Sequence, residues 1–109
     1  MEKNKMLFLE EYDIDPARID ELKDMLQDSK EILNTIKEPF FKDWKVYQSK
    51  EDPVKIKAVV LFGEDGNLNK LLEVFLKHPK ADSVIARFQS LVVDGTLKQI
   101  HYNEIASLE

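Results

Sequence analysis

The sequence predicts the α+β fold class, with helices packed against one antiparallel sheet. Apolar residues alternate with a strand period in four runs and recur with a helix period in two, in the order β-α-β-β-α-β. This order is typical of folds in which helices cover a single antiparallel sheet. The predicted strands are 5–12, 44–49, 56–62 and 97–105, and the predicted helices are 15–36 and 68–76.

The first predicted helix has signals at both of its ends. Asp15 and Pro16 provide an N-cap and a first-turn proline, and Pro39 marks the end. The apolar stripe between them is formed by Ile19, Leu22, Leu26, Leu33 and Ile36. Phe40 and Phe41 follow in a predicted connection, where they either plug the end of the core or form a lid over a pocket.

The segment 82–93 has two interpretations. Its apolar residues are spaced as in a helix, with Asp82 as the cap and Gly95 beyond the end. Alternatively, residues 93–96 form a hairpin turn between two strands. Strand alternation is poor because Arg87 would share a face with Ile85 and Leu91. We therefore favour an extra helix over 82–93.

The central strands predict how the sheet is covered. A ferredoxin-like βαββαβ sheet of four antiparallel strands has its first and third strands in the centre, and here both are apolar on both faces (6–9 and 58–62). Helices cover only one face of such a sheet, and each large apolar side chain left in water would forgo about 1.5–3 kcal/mol. We therefore expect a second copy to cover the other face in a two-fold homodimer.

This pattern resembles the dimeric α+β barrel superfamily, in which two ferredoxin-like sheets pack face to face. Its members include antibiotic-biosynthesis monooxygenases, EthD-like proteins, muconolactone isomerases, stress-responsive barrel proteins and the effector domains of Lrp-type regulators. The resemblance covers nearly the whole chain and rests on topology and apolar patterning. It implies a homodimer, but it assigns no functional residue because chemistry differs among these members.

Length and composition restrict the classes of function. The 109 residues predict one domain over 1–109, and zero cysteine excludes disulfides and thiolate metal sites. A net charge of −5 argues against a nucleic-acid partner, and Lys42, Lys45, Lys50, Lys55 and Lys57 are interpreted as solvated lysines at strand edges. No run reaches the roughly 18 apolar residues of a membrane span, and no signal peptide is recognisable. We expect a cytoplasmic protein.

No motif for a cofactor or a metal is recognisable. The glycine-rich loop at 63–66 lacks the lysine and hydroxyl residue of a phosphate loop, and no Gly-x-Ser-x-Gly elbow occurs. With only two histidines and no cysteine, a structural zinc site is not expected. The sequence therefore predicts no cofactor and no metal.

Aromatic and polar residues on the predicted strands suggest a pocket for a small ligand. His101, Tyr102 and Tyr12 would be its polar anchors, and Trp44 and Phe62 would be its walls. The alternative is that these rings fill the core or the dimer interface, and that His101 lies on a polar edge strand facing water.

Three functions follow from these residues. The first is a homodimer that binds a fatty-acid-like or aromatic molecule in an apolar pocket. The second is a cofactor-independent monooxygenase or isomerase with His101 as the general base, since an imidazole with a pKa of about 6.5 can accept a proton at neutral pH. The third is a non-catalytic interaction or regulatory module. The sequence leaves open whether the protein is an enzyme.

Overall fold

The computed structural model describes residues 5–108. A 3₁₀ turn, Pro16–Arg18, precedes the first α-helix. The elements in chain order are β1 (Met6–Asp13), α1 (Ile19–Asn34), β2 (Phe41–Gln48), β3 (Lys55–Phe62), α2 (Leu68–Phe75), α3 (Ala81–Leu91) and β4 (Lys98–Asn103).

One four-stranded sheet has the order β2-β3-β1-β4, and every neighbouring pair is antiparallel. The first and third strands lie in the centre, as predicted, and β2 and β4 form the two edges. The α+β ferredoxin-like arrangement expected from the sequence is therefore confirmed. The homodimer stays a prediction.

The first helix is shorter than the predicted range 15–36. Asp15 caps as expected, since its Oδ1 accepts a hydrogen bond from the N–H of Ala17 at 3.0 Å, but the first turn after it is 3₁₀. The helix ends at Asn34, where the Thr35 hydroxyl donates to the carbonyl of Ile32 at 2.6 Å.

The helical interpretation of 82–93 is confirmed by α3, and the hairpin is absent. One detail is wrong: Lys80 occupies the N-cap position, and Asp82 lies in the first turn, where its charge still favours the positive end of the helix. Gly95, beyond the helix, has a φ of +79°, a conformation that glycine adopts without steric cost. Phe41, expected in a connection, is the first residue of β2 and pairs with Phe62.

The two faces of the sheet differ sharply. The face under the helices carries the buried side chains of β1 and β3, which are Phe8, Tyr12, Ile56, Ala58, Val60 and Phe62. We call the opposite side the open face. Its apolar side chains are Leu7, Leu9, Tyr47, Val59, Leu61, Ile100 and Tyr102. Because no element of residues 5–108 covers the open face, Tyr47 is 53% exposed and Tyr102 is 48% exposed.

Candidate functional site

Two of the predicted site residues are part of the core. Tyr12 is 3% exposed and its ring packs edge-on against Phe88 of α3, with 5.1 Å between centroids. Burial raises the pKa of its hydroxyl, and the nearby Glu10 carboxylate raises it further. Phe62 has no exposed surface and lies in a separate cluster with Phe8. Phe62 lines neither of the two concave surfaces of this structure, whereas Tyr12 contributes to the lining of one of them, at the end of the sheet near Asp13.

His101 and Tyr102 project to opposite faces of the sheet because they are consecutive on β4. His101 lies on the helix side, and its ring centroid is 4.9 Å from that of Phe8. Tyr102 lies on the open face opposite Leu7. Both are exposed, since β4 is an edge strand that no described helix covers. A small ligand on one face of the sheet therefore cannot contact both residues.

Trp44 is the one predicted site residue that lines a concave surface between the sheet and α1. Its strand, β2, forms the other edge of the sheet, and a concave surface of about 620 Å³ lies between this strand and α1. We call it the α1–β2 groove. Its lining includes the apolar side chains Leu26, Leu33, Phe41, Trp44 and Val46, together with Tyr47. The site residues proposed from the sequence thus lie in several different places.

Positive charge surrounds this apolar lining. Four exposed lysines, Lys23, Lys30, Lys42 and Lys45, line the groove. The one carboxylate among the lining residues, Asp43, accepts a hydrogen bond from the backbone N–H of Trp44 at 2.9 Å and lies 3.7 Å from the Lys45 ammonium. The groove is therefore cationic on a chain whose net charge is −5.

Sequence reasoning missed the contribution of α1 to this groove. The sequence pattern indicates Lys42 and Lys45 only as solvated edge lysines, and it places no side chain of α1 in a ligand site. A signal was nevertheless present. Residues 23, 27, 30 and 34 recur with helical spacing and are all polar, so they form one stripe beside the apolar stripe.

A second concave surface of about 630 Å³ lies at one end of the open face. We call it the charged hollow. Its two acids are paired with two of its three lysines across the central strands: Lys57 lies 3.3 Å from Glu11, and Lys55 lies 3.0 Å from Asp13, while Lys98 is the third lysine. With three lysines and two acids, the lining of the charged hollow has a net charge of +1, whereas four lysines and one acid give the α1–β2 groove a net charge of +3.

Glu10 is a half-buried acid that sequence reasoning also missed. It lies on the helix side of β1, between Ala58 and Gln99 in neighbouring strands. Desolvation raises the pKa of its carboxyl, and the Gln99 side-chain amide, which donates to Oε2 at 2.8 Å, offsets part of that effect. Strand alternation from Phe8 through Glu10 to Tyr12 could have placed it on the buried face.

Within residues 5–108, no group of three or more histidines, aspartates or glutamates is placed to hold a metal ion. None of the helices formed by these residues has the length and apolar character needed to cross a bilayer.

No protein-family model matches the sequence, and no curated protein matches it. Solved structures do share the fold. SnoaB, a cofactor-independent oxygenase from Streptomyces nogalater, aligns with a TM-score of 0.69 at 10% identity, over 97% of this chain and 98% of that chain. A Caulobacter crescentus protein named for antibiotic biosynthesis monooxygenases has a TM-score of 0.72 at 12% identity, over 95% and 92%. A conserved protein from Methanosarcina mazei has a TM-score of 0.68 at 15% identity, over 91% of each chain.

These neighbours confirm the predicted resemblance at the level of fold. Two of them are named as an oxygenase and as an antibiotic biosynthesis monooxygenase, and both are matched over nearly the whole chain. Identities of this size indicate a shared fold, while chemistry must be argued from the site itself.

Proposed function

We propose that the protein is a homodimer that binds a small anionic amphipathic molecule, a fatty-acid-like or aromatic carboxylate, in the α1–β2 groove. The observation that supports this most directly is the combination of an apolar wall around Trp44 with four lysines and a single carboxylate. An apolar body would pack on the wall while its acid group meets the lysines.

The groove suits this ligand better than the charged hollow does. Its volume of about 620 Å³ lies within the usual range of small-molecule sites. In the charged hollow, Lys55 and Lys57 already have carboxylate partners, so an incoming acid would meet only Lys98 unless it displaced Glu11 or Asp13. In the groove, only Lys45 lies within 4 Å of the lining carboxylate.

The homodimer is proposed from the open face. Seven apolar side chains lie together there, and the largest of them, Tyr47 and Tyr102, are about half exposed. Patches of this kind on a small protein usually mark an interaction surface. Sedimentation equilibrium tests the proposal: we expect a dimer mass, and a monomer at all concentrations would contradict it.

Trp44 provides a direct test of ligand binding because the chain has one tryptophan. Decanoate is the probe, and 1-decanol, which has the same chain length without the charge, is the matched control. We expect decanoate to change Trp44 fluorescence saturably, and 1-decanol to bind at least about tenfold more weakly because it lacks the charge-assisted contacts.

Two lysine variants test whether the groove lysines bind the carboxylate of decanoate. Lys30→Gln, in the groove, should weaken decanoate binding by about tenfold, whereas Lys70→Gln, exposed on α2, should leave it unchanged. Equal binding of decanoate and 1-decanol, or equal loss in both variants, would contradict a ligand anchored by the groove lysines.

A second candidate function is cofactor-independent monooxygenase or isomerase chemistry with His101 as the base. The observation that favours it is the polar group on the helix side of β1 and β4, where His101 is exposed and Gln99 holds the Glu10 carboxyl. A hydroquinone that lost its proton to His101 would be the form that reacts with O₂. Oxygen uptake with a hydroquinone panel tests this, and equal rates in wild type and His101→Ala would remove the assignment.

A further inference from the structure

We propose that residues 104–108 of one copy cover the α1–β2 groove of a second copy. The inference rests on the homodimer of the proposed function and adds a specific exchange: each copy supplies part of the wall of the other's groove.

The segment after β4 exposes more apolar surface than its surroundings can cover. Ile105 is 97% exposed and Leu108 is fully exposed. Glu104 is the last residue held to the sheet, by a 2.9 Å hydrogen bond from its N–H to the Lys5 carbonyl, and residues 105–108 belong to no helix or strand. Two large apolar side chains left in water lose the free energy that burial would provide.

The chemistry of this segment complements the groove. Residues 104–108 contain one acid, Glu104, two large apolar residues and no lysine or arginine. The groove offers an apolar wall around Trp44 and four lysines. An acidic, apolar segment on a basic, apolar groove brings together opposite charges as well as apolar surface.

The partner groove, rather than the segment's own, is the one within reach. β4 and β2 are opposite edges of the sheet, and the helices lie on the face between them. Five extended residues span about 17 Å, and three strand spacings alone take up about 14 Å. The segment is therefore too short to pass around the helices to its own groove.

The charges of the open face select one orientation of the dimer. Glu11 and Asp13 lie on β1, in register with Lys57 and Lys55 on β3. A two-fold axis parallel to the strands sets β1 of one copy opposite β3 of the other, so carboxylates face lysines. An axis perpendicular to the strands would set β1 opposite the partner's β1, so that the carboxylates of one copy would no longer face the lysines of the other.

The favoured orientation brings the segment to the partner groove. In the partner, a two-fold rotation about an axis parallel to the strands reverses the strand order β2-β3-β1-β4. This rotation sets β4 opposite the partner's β2. Asn103, the last residue of β4, pairs with Met6, which pairs with Phe62, which in turn pairs with Phe41. Asn103 and Phe41 therefore lie in the same row across the sheet. Phe41 is where the β2 wall of the groove begins. Packed sheets are about 10 Å apart, so the segment, which reaches about 17 Å, has about 7 Å left to pass the edge of β2 and meet the groove on its helix side.

Engineered cysteines test this contact, since the chain has none of its own. Ala106→Cys is mixed with Lys42→Cys, from the groove, and separately with Lys70→Cys, from α2 outside it. We expect the mixed disulfide dimer only with Lys42→Cys, because a disulfide needs Cα atoms within about 7 Å. Ala106→Cys that cross-links mainly to itself would set β4 opposite β4 and overturn the inference.

Trp44 provides a second measurement without a cross-link. Acrylamide quenching of Trp44 should fall as wild type dimerises, because the partner segment covers the ring. In Ile105→Ser/Leu108→Ser the dimer should persist while quenching stays at the monomer level. The control, Leu76→Ser, changes an exposed apolar residue away from the groove and should behave as wild type.

The outcomes separate this inference from the proposed function. Equal quenching in the dimers of wild type and of the double variant would overturn it and leave the dimer intact. A wild-type monomer at all concentrations would overturn it together with the homodimer. In either case the decanoate titration would still report whether the groove binds a small anion.

Discussion

At the scale of single residues, two glycines determine how the loop after β3 approaches the chain before β2. The Gly63 N–H donates to the Phe40 carbonyl at 2.7 Å. A Cβ built on Gly66 would lie 2.3 Å from that same oxygen and 2.9 Å from the Cβ of Phe62. Both obstacles are rigid, so the close approach requires glycine at position 66.

Gly66→Ala should therefore lower the free energy of unfolding by about 1–3 kcal/mol, the usual cost of forcing a side chain into a packed position. The control is Gly95→Ala, where nothing lies within 4 Å of the new Cβ and only the positive φ is unfavourable. Urea unfolding measures both. A loss at Gly66 smaller than that at Gly95 would show that the Phe40 loop shifts easily.

Glu10 predicts a pH dependence of stability. Burial raises the pKa of its carboxyl above the ordinary 4.5, so the folded protein holds this proton to higher pH than the unfolded chain does. Its contribution to stability is greatest below the unfolded pKa and falls as pH rises from about 4.5 through the raised folded pKa.

Glu10→Gln removes this titration and keeps a polar side chain beside Gln99. We expect its free energy of unfolding to fall less than that of wild type as pH rises above 4.5. Urea unfolding at several pH values measures this, with Glu51→Gln, on an exposed turn, as the control. Parallel pH profiles for wild type and Glu10→Gln would contradict a raised pKa.

At the scale of elements, periodicity predicted which segments form helices and strands, but less accurately where they end. The stripe over 82–93 identified α3, although its partners lie far away in sequence: Arg87 donates to the Asp28 carboxylate of α1 at 2.6 Å. The first helix is shorter than predicted at both ends, because a 3₁₀ turn precedes it and the Thr35 hydroxyl bonds to the Ile32 carbonyl where it ends. Such ends depend on individual hydrogen bonds, which a period of 3.6 does not reveal.

The position of a side chain on one face or the other was harder to predict. A shift of one residue in register exchanges the two faces of a strand. His101 and Tyr102 were grouped as anchors of one ligand, yet they are neighbours on β4 and must project apart. Tyr12 and Phe62, predicted as an anchor and a wall of a pocket, both lie in core clusters, and Tyr12 also contributes to the lining of the charged hollow.

At the scale of the whole molecule, the sequence predicted that an apolar sheet face would lack a cover, because β1 and β3 are apolar on both sides. It could not predict the α1–β2 groove. That groove joins residues 23–34 with residues 41–47, and it exists because β2 is an edge strand that α1 covers incompletely. The sequence predicted that β2 lies at an edge, but how far α1 extends over that edge depends on how the helix packs on the sheet, which the apolar pattern does not reveal.

The ion pairs across β1 and β3 have a consequence for engineering. If they also act between copies, they encode which chains recognise each other. Glu11→Lys/Asp13→Lys in one chain and Lys55→Glu/Lys57→Glu in another would each set like charges against a copy of themselves and opposite charges against the other chain. Mixed in equal amounts, the two variants should form the heterodimer selectively. Four substitutions would then convert a self-associating surface into two surfaces that bind each other but not themselves.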